Sequence, residues 1–133
     1  MANISAQEIQ QIITNSERAD LVVKYADALG LELSKPLNTS QIRALFGEVR
    51  QIEGLMSIDH KKAWRRLYLL KPKMAYRVRR ATGVGVRGLV DVLNPALDEV
   101  LKAKDEETQK KYFKQFVEFF EAILAYHKYH GGN

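Results

Sequence analysis

Lys73, Arg77 and Arg80 are spaced by four and three residues, which places three positive charges on one stripe of a helix. Each step advances the charge by about one helical turn, near 5.4 Å, close to the separation of successive phosphates on a nucleic-acid strand. The stripe belongs to a larger block. Residues 60–90 hold ten lysines and arginines and no acid, whereas residues 1–59 hold five basic and eight acidic side chains and residues 91–133 hold six and eight. A block of one sign repels itself unless something anionic lies against it, and phosphate is the leading ligand. Within and around it, Lys61 with Arg65 and Lys62 with Arg66 form i, i+4 pairs, Lys71 precedes Pro72, and Arg43 and Arg50 share a face with Gly47 upstream. Trp64, Tyr68, Pro72 and Tyr76 are interleaved with the charges. Contacts of this kind give affinity and register without reading bases.

Other chemistry is poorly represented. Gly83-Val-Gly-Val-Arg-Gly88 matches the dinucleotide-binding glycine spacing, but that motif works between a strand and a helix, and here a basic helical stretch precedes it. The same residues also read as the turn of a helix–hairpin–helix, which would present backbone N–H groups to a DNA phosphate, although Leu89 stands where that motif wants a small side chain. Gly83 serves equally as a plain helix cap. His127 and His130 sit near a C-terminus expected to fray, His60 opens the basic segment, and no carboxylate is placed to complete a metal or acid–base site with them. The absence of cysteine excludes a thiol nucleophile, thiolate zinc sites and a disulfide framework. No catalytic centre, metal or cofactor is expected.

The elements that must carry the basic residues are helices. Ser5-Ala-Gln-Glu8 is a capping box opening a short helix with Ile9, Ile12 and Ile13 on its apolar side. A second helix is expected from about Ser16, with Val22, Tyr25, Ala26 and Leu29 at helical spacing and Gly30 as its C-terminal cap, followed by a loop over residues 31–37. A third begins after Asn38-Thr39-Ser40 and buries Ile42, Leu45, Phe46, Val49 and Ile52, with Gly47 expected to admit a close neighbour. A fourth starts near Ser57 or Asp59, carries Trp64, Leu67 and Tyr68 on its apolar side, and should break at Pro72, where a new helix starts and runs to Thr82-Gly83. From Val86 to Leu101 the apolar phase crosses Pro95 without slipping, which predicts one kinked helix.

The last helix opens in Asp105-Glu106-Glu107, acids suited to a helix N-terminus. Its apolar arc is wider than one core contact requires. Tyr112, Phe119, Ile123 and Tyr126 flank the main stripe of Phe113, Phe116, Val117, Phe120 and Leu124, so this helix is either central to the bundle or half of a protein interface. With 133 residues, 46% of them hydrophobic and 28% charged, the expectation is one all-α domain over residues 1–133, a compact bundle of five to six helices. No apolar run suits a membrane span and the N-terminus lacks the pattern of a secretory signal, so a soluble, cytoplasmic protein is expected.

Two segments carry more than composition: residues 37–53, LNTSQIRALFGEVRQIE, and residues 69–77, LLKPKMAYR. Together they resemble the small-subunit (Csm) family of the type III-A CRISPR effector complex, over roughly residues 37–103. The resemblance implies a small helical bundle that is not an enzyme and serves antiviral defence. It further implies that several copies stack along the duplex of guide RNA and target RNA within a larger ribonucleoprotein, touching the RNA backbone, while other effector subunits cut. By position, Arg43, Lys71-Pro72-Lys73 and Arg77 correspond to that family's basic surface.

Two readings of different class follow. One is an RNA-backbone-binding subunit that contacts guide and target RNA through Arg43, Arg50, Lys61, Lys62, Arg65, Arg66, Lys71, Lys73, Arg77 and Arg80. It would meet other CRISPR effector subunits and self-associate by stacking or dimerisation through the aromatic last helix. The other is a helical interaction scaffold whose basic block docks an acidic protein.

Overall fold

A computed structural model describes residues 3–133. Six helices follow one another: α1 (Ala6–Thr14), α2 (Ala19–Leu33), α3 (Thr39–Met56), α4 (His60–Arg80), α5 (Gly85–Leu101) and α6 (Glu106–Tyr129). There is no strand among the described residues, and the fold is all-α. Side-chain caps set most of the starts. Ser5 and Glu8 form one reciprocal capping box and Asn38 and Gln41 a second. The Asp59 and Asp105 carboxylates accept from the N–H groups of Lys62 and Thr108. Such a cap is worth about 1 kcal/mol.

α6 is the central helix. It packs on α1, α2, α3 and α5, most extensively on α2. That placement accounts for its wide apolar arc: Phe113, Phe116, Phe119, Phe120 and Ile123 are all buried in the chain's own core. The expected interface therefore loses Phe119 and Ile123, each wholly inaccessible. Tyr112 and Tyr126 are half-buried against the same core. Phe46 of α3 meets Phe120 edge-on at 5.0 Å between ring centres, an arrangement worth about 1 kcal/mol beyond its area.

Pro72 does not divide α4, which runs unbroken for 21 residues. Ala63, Leu67, Leu70 and Met74 form one buried line on both sides of the proline, so the two halves share a single packing face against α3 and α5. Pro72 itself is exposed, as is Tyr68 one turn earlier, whose carbonyl loses its intrahelical donor. Water can replace that donor on the solvent side, which reduces the penalty of about 3 kcal/mol for an interior proline. The same geometry puts Tyr68 outside, 51% exposed, rather than on the apolar side. α5 crosses Pro95 as one helix, as its sequence phase predicts.

The close approach expected at Gly47 occurs at Gly30 instead. No atom lies within 4 Å of where a Gly47 Cβ would stand, whereas a Cβ on Gly30 would come to 2.6 Å from the α6 backbone at Tyr126 and His127. Gly30 is thus the crossing point of α2 and α6 rather than a terminal cap, and α2 continues to Leu33. At its other end α2 begins at Ala19, not near Ser16. The Asn15 side chain accepts from the Glu17 N–H at 3.0 Å, and the resulting turn occupies residues 15–18.

Candidate nucleic-acid interface

The stripe read from the sequence lines an open groove between α3, α4 and α5. Lys73, Tyr76, Arg77 and Arg80 come from α4 with Pro72, Gln41, Leu45 and Glu48 from α3, and Val86 and Leu89 from α5, around a cavity of about 700 Å³. α4 is positioned by its buried line, and at about 100° per residue Lys62, Arg66, Lys73, Arg77 and Arg80 fall on the flank of α4 that faces α3. They form one ridge of five cations.

The ridge is not without acid. Glu48 of α3 lies beneath it, with one carboxylate oxygen 3.3 Å from Lys73 Nζ and 3.8 Å from an Arg66 guanidinium nitrogen, and the other oxygen 3.7 Å from Arg77. Gln51, three residues further along α3, accepts from Arg66 at 3.0 Å. One carboxylate shared by three cations leaves the site net positive and holds their side chains in a fixed relation. Arg80 is held separately, its guanidinium 5.6 Å from the centre of the Tyr76 ring.

Other expected contacts lie elsewhere. Lys71, about 160° around α4 from Lys73, turns the other way and bonds Asp98 of α5. On α3, Arg43 and Arg50 stand about 140° and 160° from Glu48. Arg50 pairs with Glu53 and with Glu121 of α6, each at 2.7 Å, and sits over the Phe46 ring at 5.0 Å. The Glu53 hydrogen bond raises the Arg50 pKa further above its already high ordinary value. Arg43 lines a smaller depression between α3 and α6 with Glu121 and Lys128. Lys61 and Arg65 are exposed on the first turns of α4, off the line of the ridge that Lys62 begins.

The histidines are held structurally. His127 is buried, its Nε2 2.5 Å from the Leu37 carbonyl, and its ring packs against Gly132. His130 lies 2.6 Å from the Asp27 carboxylate, so the end of the chain is anchored rather than frayed and a carboxylate does meet a histidine there. His60 reaches Gln109 at 2.6 Å. Among the described residues no three acids or histidines gather as a metal site. In the Gly83–Gly88 segment Gly83 takes a positive φ of 78°, a conformation that favours glycine, and Gly85 admits the close approach of Pro36, whose carbonyl oxygen would stand 2.3 Å from a Cβ there. Among the described residues no helix is long and apolar enough to cross a membrane.

The sequence pattern placed Tyr76 among the charges but did not disclose Gln41 and Glu48 as neighbours of the stripe. The structure leaves the Tyr76 ring 60% accessible beside those charges, while Gln41 and Glu48 sit on another helix and leave no signal in the basic segment.

Fold and groove together define a small all-helical protein with a cationic ridge beside an open groove. Compared with known families, the chain matches Csm2 Type III-A over residues 16–133. It belongs to that family, and is a small subunit of the type III-A CRISPR complex. The curated proteins and the solved structures contained no match to it.

Proposed function

We propose that this subunit grips the backbone of guide and target RNA without reading sequence, through Lys62, Arg66, Lys73, Arg77 and Arg80, and leaves cutting to other subunits. The observation that carries the proposal is the continuity of the cationic ridge. From Lys62 to Arg80 it spans 18 residues, about 27 Å along the axis, on one flank of one rigid helix. A rigid row of guanidinium and ammonium groups matches a rigid row of phosphates, and arginine adds bidentate geometry. Base pairing between guide and target can then supply specificity, so the protein needs only shape and charge.

Assembly with other effector subunits follows from family membership. Self-association by stacking is part of the same proposal, supported by exposed Val23 and Leu31 on the outer side of α2, 52% and 59% accessible. The cytoplasm is the proposed location.

The test is fluorescence anisotropy with labelled single-stranded and duplex RNA over a salt series. About three phosphates neutralised per protomer give a slope of log K against log salt near −2 on single strands, the same for unrelated sequences. Reversing Lys73, Arg77 and Arg80 to glutamate should abolish binding while the helical circular-dichroism signal persists. Undiminished binding by that variant would overturn the assignment of the ridge. Absence of RNA binding at low salt together with capture of an acidic protein would favour the scaffold reading.

A further inference from the structure

We infer that the outer face of α4 in one copy of this chain docks on the outer face of α2 in a second copy, so that unlike surfaces meet rather than one surface meeting itself about a two-fold axis. This inference rests on the proposed self-association and goes further by naming the two surfaces. On α4, Tyr68, Leu69, Pro72 and Tyr76 are all exposed and fall on one side of the helix. Leu69 is 43% accessible and Tyr68 51%, so the chain's own core leaves an apolar line about two turns long in water. A contiguous apolar patch on a soluble surface marks a contact site. The line stands about 80° around α4 from the cationic ridge, so a protein can cover it while the ridge stays open.

Charge decides what fits it. Lys61, Arg65 and Arg79 border the apolar line and are exposed, and among the described residues none of the three has an ion pair. α4 contains no acid at all. Pairing this face with itself would set cations against cations, which opposes association. The complementary surface is on α2, where Asp20, Val23, Asp27 and Leu31 are exposed along one side of the helix. It has apolar groups to meet the α4 line and carboxylates to meet the border. Asp20 pairs with Arg18 and Asp27 with His130, all near the surface, where a carboxylate can serve a second cation. Tyr129, next to His130, is 79% accessible and widens the apolar area. α2 packs on α1, α5 and α6, and α4 on α3 and α5, so one copy offers both faces at once. A contact between unlike faces leaves one of each free, and further copies add in the same sense.

The test is analytical ultracentrifugation of the full chain at rising concentration and low salt. One variant carries Tyr68→Ser with Leu69→Ser, and the other Val23→Ser with Leu31→Ser; all four side chains are exposed, and circular dichroism checks that the fold survives. A single helix face is smaller than the roughly 800 Å² per partner of a standard interface, so the wild type is expected to associate weakly, growing past a dimer with concentration and dissociating with salt. Each variant alone should stay monomeric, because every junction then lacks one face. Mixed in equal amounts, the two should form a 1:1 dimer that grows no further, since only one intact pair of faces remains. Continued growth by either variant, or two monomeric variants with no mixed dimer, would overturn the pairing and leave self-association standing. A wild type monomeric at every concentration would overturn both. RNA anisotropy on the same variants reads the ridge separately, because Lys73, Arg77 and Arg80 are retained.

Discussion

Glu48 Oε2 lies 3.3 Å from the Lys73 ammonium across the seam between α3 and α4, and Glu48 Oε1 lies 3.7 Å from the Arg77 guanidinium. The carboxylate comes from a helix 25 residues away in sequence and is the acid the basic segment itself lacks. With Arg66 included, it holds three members of the ridge in place, and it also opposes the arrival of phosphate. A unit charge about 7 Å from an incoming phosphate in a water-like medium raises its energy by about 0.6 kcal/mol, or about threefold in affinity. Glu48→Gln should therefore bind RNA about threefold more tightly at low salt, as anisotropy would read. Weaker binding by Glu48→Gln would mean that ordering the cations outweighs the repulsion.

Lys71 and Lys73 separate two accounts of the basic surface. The family resemblance treats Lys71-Pro72-Lys73 as one patch, but the continuous helix turns the two lysines to opposite flanks, with Lys71 on Asp98 and Lys73 in the groove. Lys73→Ala should weaken RNA binding by about tenfold, and Lys71→Ala by less than threefold. An equal loss from both would contradict the division of α4 into an α3-facing and an α5-facing flank.

Acid should weaken the fold through the carboxyls that its hydrogen bonds hold down. Hydrogen bonds from the Tyr25 hydroxyl, and then from the Ser5 backbone and side chain, hold the Glu8 carboxyl below its ordinary value of 4.5. Thr108 does the same for Asp105, below 3.8. A carboxyl with a depressed folded-state pKa binds fewer protons in the folded chain than in the unfolded one. Its contribution is then present above the unfolded value and is lost as pH falls through the folded one. Stability measured by urea titration should decline from about pH 5 downward, and Glu8→Gln should flatten part of that slope. A slope unchanged by Glu8→Gln would show that the Ser5–Glu8–Tyr25 cluster does not distinguish folded from unfolded states.

Much of the fold was legible because caps and apolar phase are local signals. Ser5, Asn38, Asp59 and Asp105 mark helix starts in the sequence and cap them in the structure. The late start of α2 comes from the local Asn15–Glu17 turn, whereas at Pro72 and Gly30 tertiary packing overrode a local preference. A break at Pro72 is the local expectation, yet the buried line from Ala63 to Met74 keeps the helix whole. Breaking α4 there also discards the phase that joins Lys62 and Arg66 to Lys73. The stripe of Lys73, Arg77 and Arg80 was visible as a periodicity within one helix, whereas Glu48 beneath it and the floor of Leu45, Val86 and Leu89 come from other helices. No spacing within one segment encodes such neighbours.

Gly30 and Gly47 give the sharpest test of the packing. Both are interior helix glycines, and helix propensity alone favours alanine at each by about 1 kcal/mol. At Gly47 the new methyl group would meet nothing within 4 Å, so Gly47→Ala should stabilise the protein by about 0.5–1 kcal/mol. At Gly30 it would press to 2.6 Å on the backbone of α6 at Tyr126 and His127. Backbone cannot rotate away as a side chain can, so α2 and α6 must separate along their most extensive contact. Overpacking of this kind typically costs about 1–3 kcal/mol, more than the propensity gain. Gly30→Ala should thus lower the urea midpoint while Gly47→Ala raises it. Shifts of the same sign would refute Gly30 as the crossing point of the two helices.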